Sequence, residues 1–416
     1  MKKRLLWLCH WESPYEEEWK GGMGKYMHSL SRELSRNTNT KIDILTPNFS
    51  NLPSKQTLHS NQVDLIRLEV PAHSDIRNPE DMKRYAEAVS EFFDKKGGEY
   101  SLVHAHYWSS HLAGEALAAH GLPYILQLHQ LDKPMRATFQ SHDLEYRLNE
   151  WRHETEKSAV EKADRTIFVS DTQLKEFIEH YYEGKIPAPV KEKIHVILNG
   201  TDVNQFKPMS KKGSARLKSK YDLSDNSFVI GYCGRLDPDK AVDRMIHSIP
   251  FLLDKLTPDQ IDKIRVMITG KGSDVKYLEK LVRQLGIKDR VQFYGYQTGS
   301  ELLEKFQISD VGVVTSIHET FGLSATEFMA CSKPTIVWKG SGGPEEIVNG
   351  TAGRIVSNYQ EMADTLHQLY TNPESRKNLG ERARRRCIKI YNWKRVAREV
   401  TDLYEEMLSD SRNNRK

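Results

Sequence analysis

Cysteine is scarce in this chain and never paired in sequence. There are four, Cys9, Cys233, Cys331 and Cys387, and no Cys-x-x-Cys. The spacing excludes a disulfide framework and fits reduced, buried thiols of a cytoplasmic protein. Long apolar runs are missing as well, and no stretch approaches the roughly 20 residues that cross a bilayer. The start, Met-Lys-Lys-Arg then Leu-Leu-Trp-Leu-Cys, is too short for a secretory leader, and His10, Glu12 and Glu16 to Glu18 follow at once. It reads as a first buried strand. An excess of one charge is also lacking. A net charge of +4 over 416 residues allows an anionic ligand or a membrane surface and does not argue for nucleic acid. Gly-x-Ser-x-Gly, Gly-x-x-x-x-Gly-Lys-Ser/Thr and His-Glu-x-x-His are absent. That disfavours the common hydrolases, P-loop enzymes and zinc proteases.

What is present is an alternation of strands and helices, in a chain long enough for two cores. Lys3 to Cys9 is an apolar strand, Gly21-Gly22-Met23-Gly24 a glycine turn, and Tyr26, Met27, Leu30 and Leu34 then share one helical face. Strand, glycine loop, helix is the layout of a doubly wound sheet with a ligand at its carboxyl edge. The glycines do not match Gly-x-Gly-x-x-Gly, so a dinucleotide is not expected. Further strands are predicted at Lys41 to Thr46, Val63 to Glu69, Tyr100 to Ala105, Pro123 to Leu128 and Arg165 to Ser170. Helices are predicted at Pro79 to Lys95, Ser109 to His120 and from His142 to Lys162. Another spans Asp171 to Tyr182, capped by Asp171 or Thr172. Pro187 and Pro189 mark a boundary. The predicted domains are 1–190, 191–390 and a helical tail, 391–416, crossing back to the first. A second alternating series starts at Phe228. Lys211 to Lys220 and Arg382 to Arg386 read as basic, solvated surface. The expected fold class is α/β, two Rossmann-like doubly wound domains facing each other across a cleft that holds the site.

The chemistry-bearing residues cluster in the second half. Glu319 and Glu327 stand eight positions apart, with Phe321-Gly322-Leu323 after the first. A strand-like run and the glycine loop Gly340 to Gly343 follow, and Pro344 suits the start of a helix. Such a unit sets carboxylates and free backbone N–H groups around one polar ligand. Ser324 with Glu327 is equally a capping box, which needs no ligand. Gly234-Arg235-Leu236-Asp237-Pro238-Asp239-Lys240 follows the first strand of this half. Its two cations suit a diphosphate; an ordinary surface loop, with Asp237 and Asp239 pairing the cations, fits equally well. Gly270-Lys271-Gly272 is a second glycine loop, or a plain turn. In the first half His129 ends a strand. His104 and His106 read as a core and loop pair, and the three histidines lack zinc spacing, so no metal is expected.

Together these pieces resemble the glycosyltransferases of family four, retaining enzymes of GT-B fold. The resemblance covers nearly the whole chain. It is carried by Gly-Arg-Leu with Lys240, the two glutamates with Phe321-Gly322-Leu323, Met329-Ala330-Cys331, and Gly342-Gly343 with Glu346. Glu156 to Ser170 and Asn199-Gly200-Thr201-Asp202 with Phe206 and Pro208 add to it. It implies that Gly234, Arg235 and Lys240 hold the donor diphosphate and that Glu327 binds the ribose hydroxyls. Glu319 would bind the transferred sugar, and the backbone at Phe321, Gly322 and Leu323 the sugar or phosphate. The base would lie near Tyr294, Gly295 and Tyr296, the diphosphate near Gly22, and the reaction centre near His129. Trp393 and the tail would form the crossing helix. Two positions depart from the family pattern: Ala241 replaces a glycine after the lysine, and Ser332 one before Lys333-Pro334.

The implied reaction moves a hexose-type sugar from a nucleotide-diphosphate donor, a UDP-sugar by family habit, to a hydroxyl. The anomeric configuration is retained, and neither metal nor other cofactor is needed. The acceptor is a sugar, lipid, small molecule or protein, and Asp132 to Lys162 is a plausible element on its side. An epimerase or hydrolase on the same fold would form product without acceptor. A non-catalytic nucleotide-sugar-binding protein would have lost Arg235, Lys240 or the carboxylates, and all are present.

Overall fold

Lys-Arg-Leu-Leu-Trp-Leu alternates nothing: its apolar residues point both ways, as a strand covered on both faces requires. In the computed structural model this stretch, β1 (Lys3–Leu8), lies inside a sheet, with Leu5 to Leu8 essentially free of solvent. The structure describes residues 3–15, 21–37, 40–48, 52–59, 61–70, 79–96, 99–131 and 150–413. The part of Asp132 to Lys162 before Glu150, and Glu16 to Glu18, lie outside them.

The chain divides into two units, Met1–Gly200 with Trp393–Lys416, and Thr201–Asn392. The first unit holds β1, β2 (Thr40–Pro47), β3 (Lys55–Leu58), β4 (Val63–Leu68), β5 (Leu102–His106), β6 (Tyr124–Leu128), β7 (Arg165–Phe168) and β8 (Ile194–Val196). Their order is β3-β4-β2-β1-β5-β6-β7-β8, parallel except for β3 against β4. The order reverses between β1 and β5, where a doubly wound sheet opens its binding edge.

The first unit runs on to Gly200, past the boundary read at 190. Pro187 and Pro189 start a short helix, Ala188–Lys191, whose Val190 is buried, and β8 then pairs with β7. The prolines thus mark a helix entry rather than a linker. The helix Asp171–Tyr182 is capped by Ser170, whose hydroxyl accepts from Gln173 N, and not by Asp171 or Thr172. The edge strand β3 was not predicted; Lys-Gln-Thr-Leu carries too little apolar character to be read as one.

The terminal helix Trp393–Asn413 belongs to this unit. Trp393, Val396, Ala397, Val400, Leu403, Tyr404 and Met407 repeat at three- and four-residue spacing and join the first core. Each such buried large apolar side chain contributes about 2 kcal/mol.

The second unit holds β9 (Phe228–Cys233), β10 (Ile264–Thr269), β11 (Val291–Phe293), β12 (Val311–Val314), β13 (Thr335–Trp338) and β14 (Gly353–Val356). Their order is β11-β10-β9-β12-β13-β14, all parallel. The reversal falls between β9 and β12. Lys211–Lys220 is a helix here, not merely solvated surface. Ser210 caps it, and Leu217 and Lys218 are buried. The Lys218 ammonium donates to the carbonyls of Asp225 and Ser227 at 3.1 and 2.6 Å. The run Arg382 to Arg386 is only partly a solvated face. Arg384 donates to the carbonyls of Phe206, Val203 and Ala330, and Arg386 to those of Ile347 and Glu346. Guanidinium forks fit such carbonyl clusters, which composition alone does not reveal.

Candidate active site

Three loops meet where the second sheet reverses. The first leaves β9 as Gly234 to Ala241, the second leaves β12 as Thr315 to Gly322, and the third leaves β13 as Lys339 to Gly342. Backbone and side chain sew them together. Ile317 N donates to Asp239 O at 2.9 Å, and the Thr315 hydroxyl to Lys240 O at 2.9 Å. Glu319 N donates to Ser341 O and Gly343 N to Glu319 O, both at 2.8 Å. Gly343 allows this approach, because a Cβ there would lie 2.5 Å from Thr320 O.

This stitching sets the charged groups. Lys240 Nζ lies 3.1 Å from Glu319 Oε1 and 3.2 Å from Asp239 Oδ2. The Ser316 hydroxyl donates to the same Glu319 oxygen at 2.6 Å. Glu319 Oε2 has no hydrogen bond among the described residues. Burial works against the Glu319 charge, but Lys240, Ser316 and Arg235 outweigh it and hold the carboxyl below its ordinary range. Burial likewise disfavours the Lys240 ammonium, and Glu319 and Asp239 more than restore it. Arg235 is half exposed and binds Asp237 and Asp239, the latter at 2.9 Å. The pairing that the surface-loop reading expects is present. The aspartates pair the cations, and the cations still stand at the reversal edge.

The helix Leu323–Ala330 starts on Gly322, whose φ of 99° is left-handed. Ser324 lies inside it and Gly322 is its N-cap, so the capping box with Glu327 does not form. The first turn leaves backbone N–H groups without intrahelical partners, beside Phe321 and Leu323. Glu327 sits one turn further in, 5% exposed. At the end of β11, Tyr294 packs edge-on against Tyr221 and under the Lys305 ammonium, 3.6 Å from the ring centre. Tyr296 is exposed, with the Lys271 ammonium 4.5 Å above it. Gly295 O accepts from Gly270 N at 2.8 Å, which ties the Gly270-Lys271-Gly272 turn to this edge.

The two departures from the family pattern share a backbone conformation. Ala241 has φ 43° and Ser332 φ 60°, both left-handed, where glycine carries no Cβ penalty.

In the first unit Gly22 opens the helix Gly22–Asn37. One turn on, the Tyr26 ring meets His129 edge-on at 5.0 Å and Trp393 at 5.3 Å. His129 Nε2 lies 3.2 Å from His106 Nδ1. His104, His106 and His129 stack ring on ring rather than converging on a point. His104 meets the Tyr404 hydroxyl at 2.6 Å. Sequence reasoning singled out His129, read His104 and His106 as a core and loop pair and Tyr26 as a helix-face residue; both His104 and His106 are buried on β5, and the strand-end position of His106 was the available signal. Arg235, Lys240 and Glu319 are brought together in the second unit, with Gly322 and Glu327 on the helix that follows, whereas Gly22 and His129 lie in the first. Among the described residues no helix is long and apolar enough to cross a membrane.

Comparison with known proteins agrees with the fold. The family described as Glycosyl transferases group 1 matches residues 214–386, and that described as Glycosyltransferase Family 4 matches residues 20–205. A D-inositol 3-phosphate glycosyltransferase of Corynebacterium jeikeium is 26% identical over 97% of each chain. The structure of a sucrose-phosphate synthase from Thermosynechococcus elongatus superposes with a TM-score of 0.82 at 23% identity, covering 98% of this chain and 100% of that one. Anabaena HepE in complex with UDP-glucose gives 0.71 at 20% identity, covering 97% and 99%. With two doubly wound parallel-sheet units and both family models matched, this chain belongs to the family-four glycosyltransferases of GT-B fold.

Proposed function

We propose that this glycosyltransferase moves a hexose-type sugar from a UDP-sugar to a hydroxyl acceptor, with retention and without a metal ion. The carrying observation is the grouping of Arg235, Lys240 and Glu319 at the sheet reversal. UDP-glucose is the ligand in the related HepE structure, and a phosphorylated inositol names the activity of the curated relative, which supports both a uridine donor and a small polar acceptor.

In this reading Arg235 and Lys240 bind the diphosphate, Glu327 the ribose and Glu319 the sugar. The C1–O bond to the diphosphate breaks through an oxocarbenium-like state, as in glycoside hydrolysis. The acceptor oxygen bonds to C1 on the same face and gives its proton to the leaving phosphate. Negative charge growing on that phosphate is met by Arg235, Lys240 and the N–H groups at Gly322 and Leu323. Each such donor contributes on the order of 3 kcal/mol. Glu319 already spends one oxygen on Lys240 and Ser316, which suits a binding role rather than nucleophilic attack. Incubation with UDP-glucose and a panel of sugar, inositol and lipid hydroxyls, read by proton NMR of the anomeric position, tests this. Retained configuration, formed only with acceptor, supports it. Inversion, or equal product without acceptor, refutes it.

A further inference from the structure

The buried histidine stack of the first unit has no task in the reaction as described. His104 and His106 are fully buried, and His129 is part exposed at its end. Trp7 packs against both inner rings, at 5.6 and 4.8 Å. A shared hydrogen between His106 Nδ1 and His129 Nε2 has two possible directions. The far nitrogen of His106, Nε2, decides between them. It is buried and has no hydrogen-bond partner among the described residues. An orphan lone pair is tolerated more readily in a core than an orphan N–H. The proton of His106 therefore belongs on Nδ1.

We infer that His106 is a positioning residue: its Nδ1–H donates to His129 Nε2, so His129 carries its own proton on Nδ1. His129 then meets the ligand as a neutral hydrogen-bond donor and not as a base. This rests on the reading that His129 lines the sugar site. Nδ1 of His129 makes no hydrogen bond among the described residues, so that N–H remains available. Tyr26, edge-on to the ring, and the stacked His106 fix its plane. Burial holds the ring neutral, pushing His129 and His104 down to about 3. A neutral donor suits a sugar hydroxyl and leaves the acceptor proton to the departing phosphate.

Nitrogen-15 NMR of histidine-labelled protein reads the tautomer directly, with His129 assigned by its loss in His129→Gln. The expected spectrum has a protonated Nδ1 and a bare Nε2. His106→Leu removes the directing donor: His129 shifts toward the Nε2–H form, and kcat falls by up to about a hundredfold. The donor KM stays unchanged. His106→Asn places an amide N–H near the same point and restores both the tautomer and most of kcat. A wild-type His129 protonated on Nε2 overturns the inference, as does an unchanged tautomer in His106→Leu. If His106→Leu does not fold, the wild-type spectrum decides. If the chain transfers no sugar at all, the functional reading fails while the spectrum still judges the tautomer.

Discussion

Lys240 Nζ stands 3.1 Å from Glu319 Oε1, a bond that joins the loop after β9 to the loop after β12 where the strand order reverses. Neither side chain is more than a fifth exposed. The pair therefore holds the site's shape as well as its charge. With Oε1 engaged by Lys240 and Ser316, a sugar bound as proposed would meet Oε2.

The pair makes stability depend on acid pH. The Glu319 carboxyl lies below its ordinary 4.5 because Lys240, Ser316 and Arg235 outweigh the cost of burial. A lowered carboxyl contributes stability above the ordinary value and loses it as pH falls through the folded value. Glu319→Gln should lower the melting temperature near neutrality, and the gap to wild type should close below pH 4.5. A gap that stays constant into acid would count against the ion pair as the cause.

Arg235 is held by Asp237 and Asp239 and half exposed, so its removal leaves the fold standing. Arg235→Ala should keep the wild-type melting temperature within about 0.5 kcal/mol of stability. Transfer should fall by about a hundredfold. Steady-state kinetics with excess acceptor checks it.

Ala241 and Ser332 are in left-handed backbone. Ala241→Gly and Ser332→Gly should each relieve roughly 1 kcal/mol of strain, part of it offset by the greater freedom of the unfolded chain. Thermal melts should rise slightly, and Ala241→Val should fall, because a β-branched residue tolerates this conformation least.

Gly200 is fixed by Trp393. A Cβ there would lie 2.5 Å from the indole, so Gly200→Ala should destabilise by about 1–3 kcal/mol. Beside it the two crossings between the units run together, with Thr201 bridged to Asn392. In Trp393→Leu the Gly200→Ala penalty should shrink, and a double-mutant cycle in urea measures that coupling.

Much of this was legible in sequence for a physical reason. Strands such as β9 and β6 are buried on both faces, so their apolar runs stand out against polar helices. Arg235, Lys240, Glu319 and Glu327 were legible because their spacing matches a known family. What escaped depends on contacts distant in sequence. Ser170 outcompeted Asp171 as a cap once the chain left β7. Ile194 to Leu198 reads as a strand of the second domain, but its pairing with β7, beyond two prolines, puts it in the first. His106 gained meaning only when His129 came to rest beside it, 23 positions on.

The measurement that tests the central claim most directly is calorimetric titration of UDP, GDP and ADP into wild type and Arg235→Ala, with chelator present throughout. The account predicts that UDP binds wild type without a metal and that Arg235→Ala loses that binding. GDP and ADP should bind more weakly. UDP binding that is equal in both proteins would contradict the diphosphate role given to the loop after β9. Binding that returns only when the chelator is withdrawn and a divalent ion added would contradict metal independence.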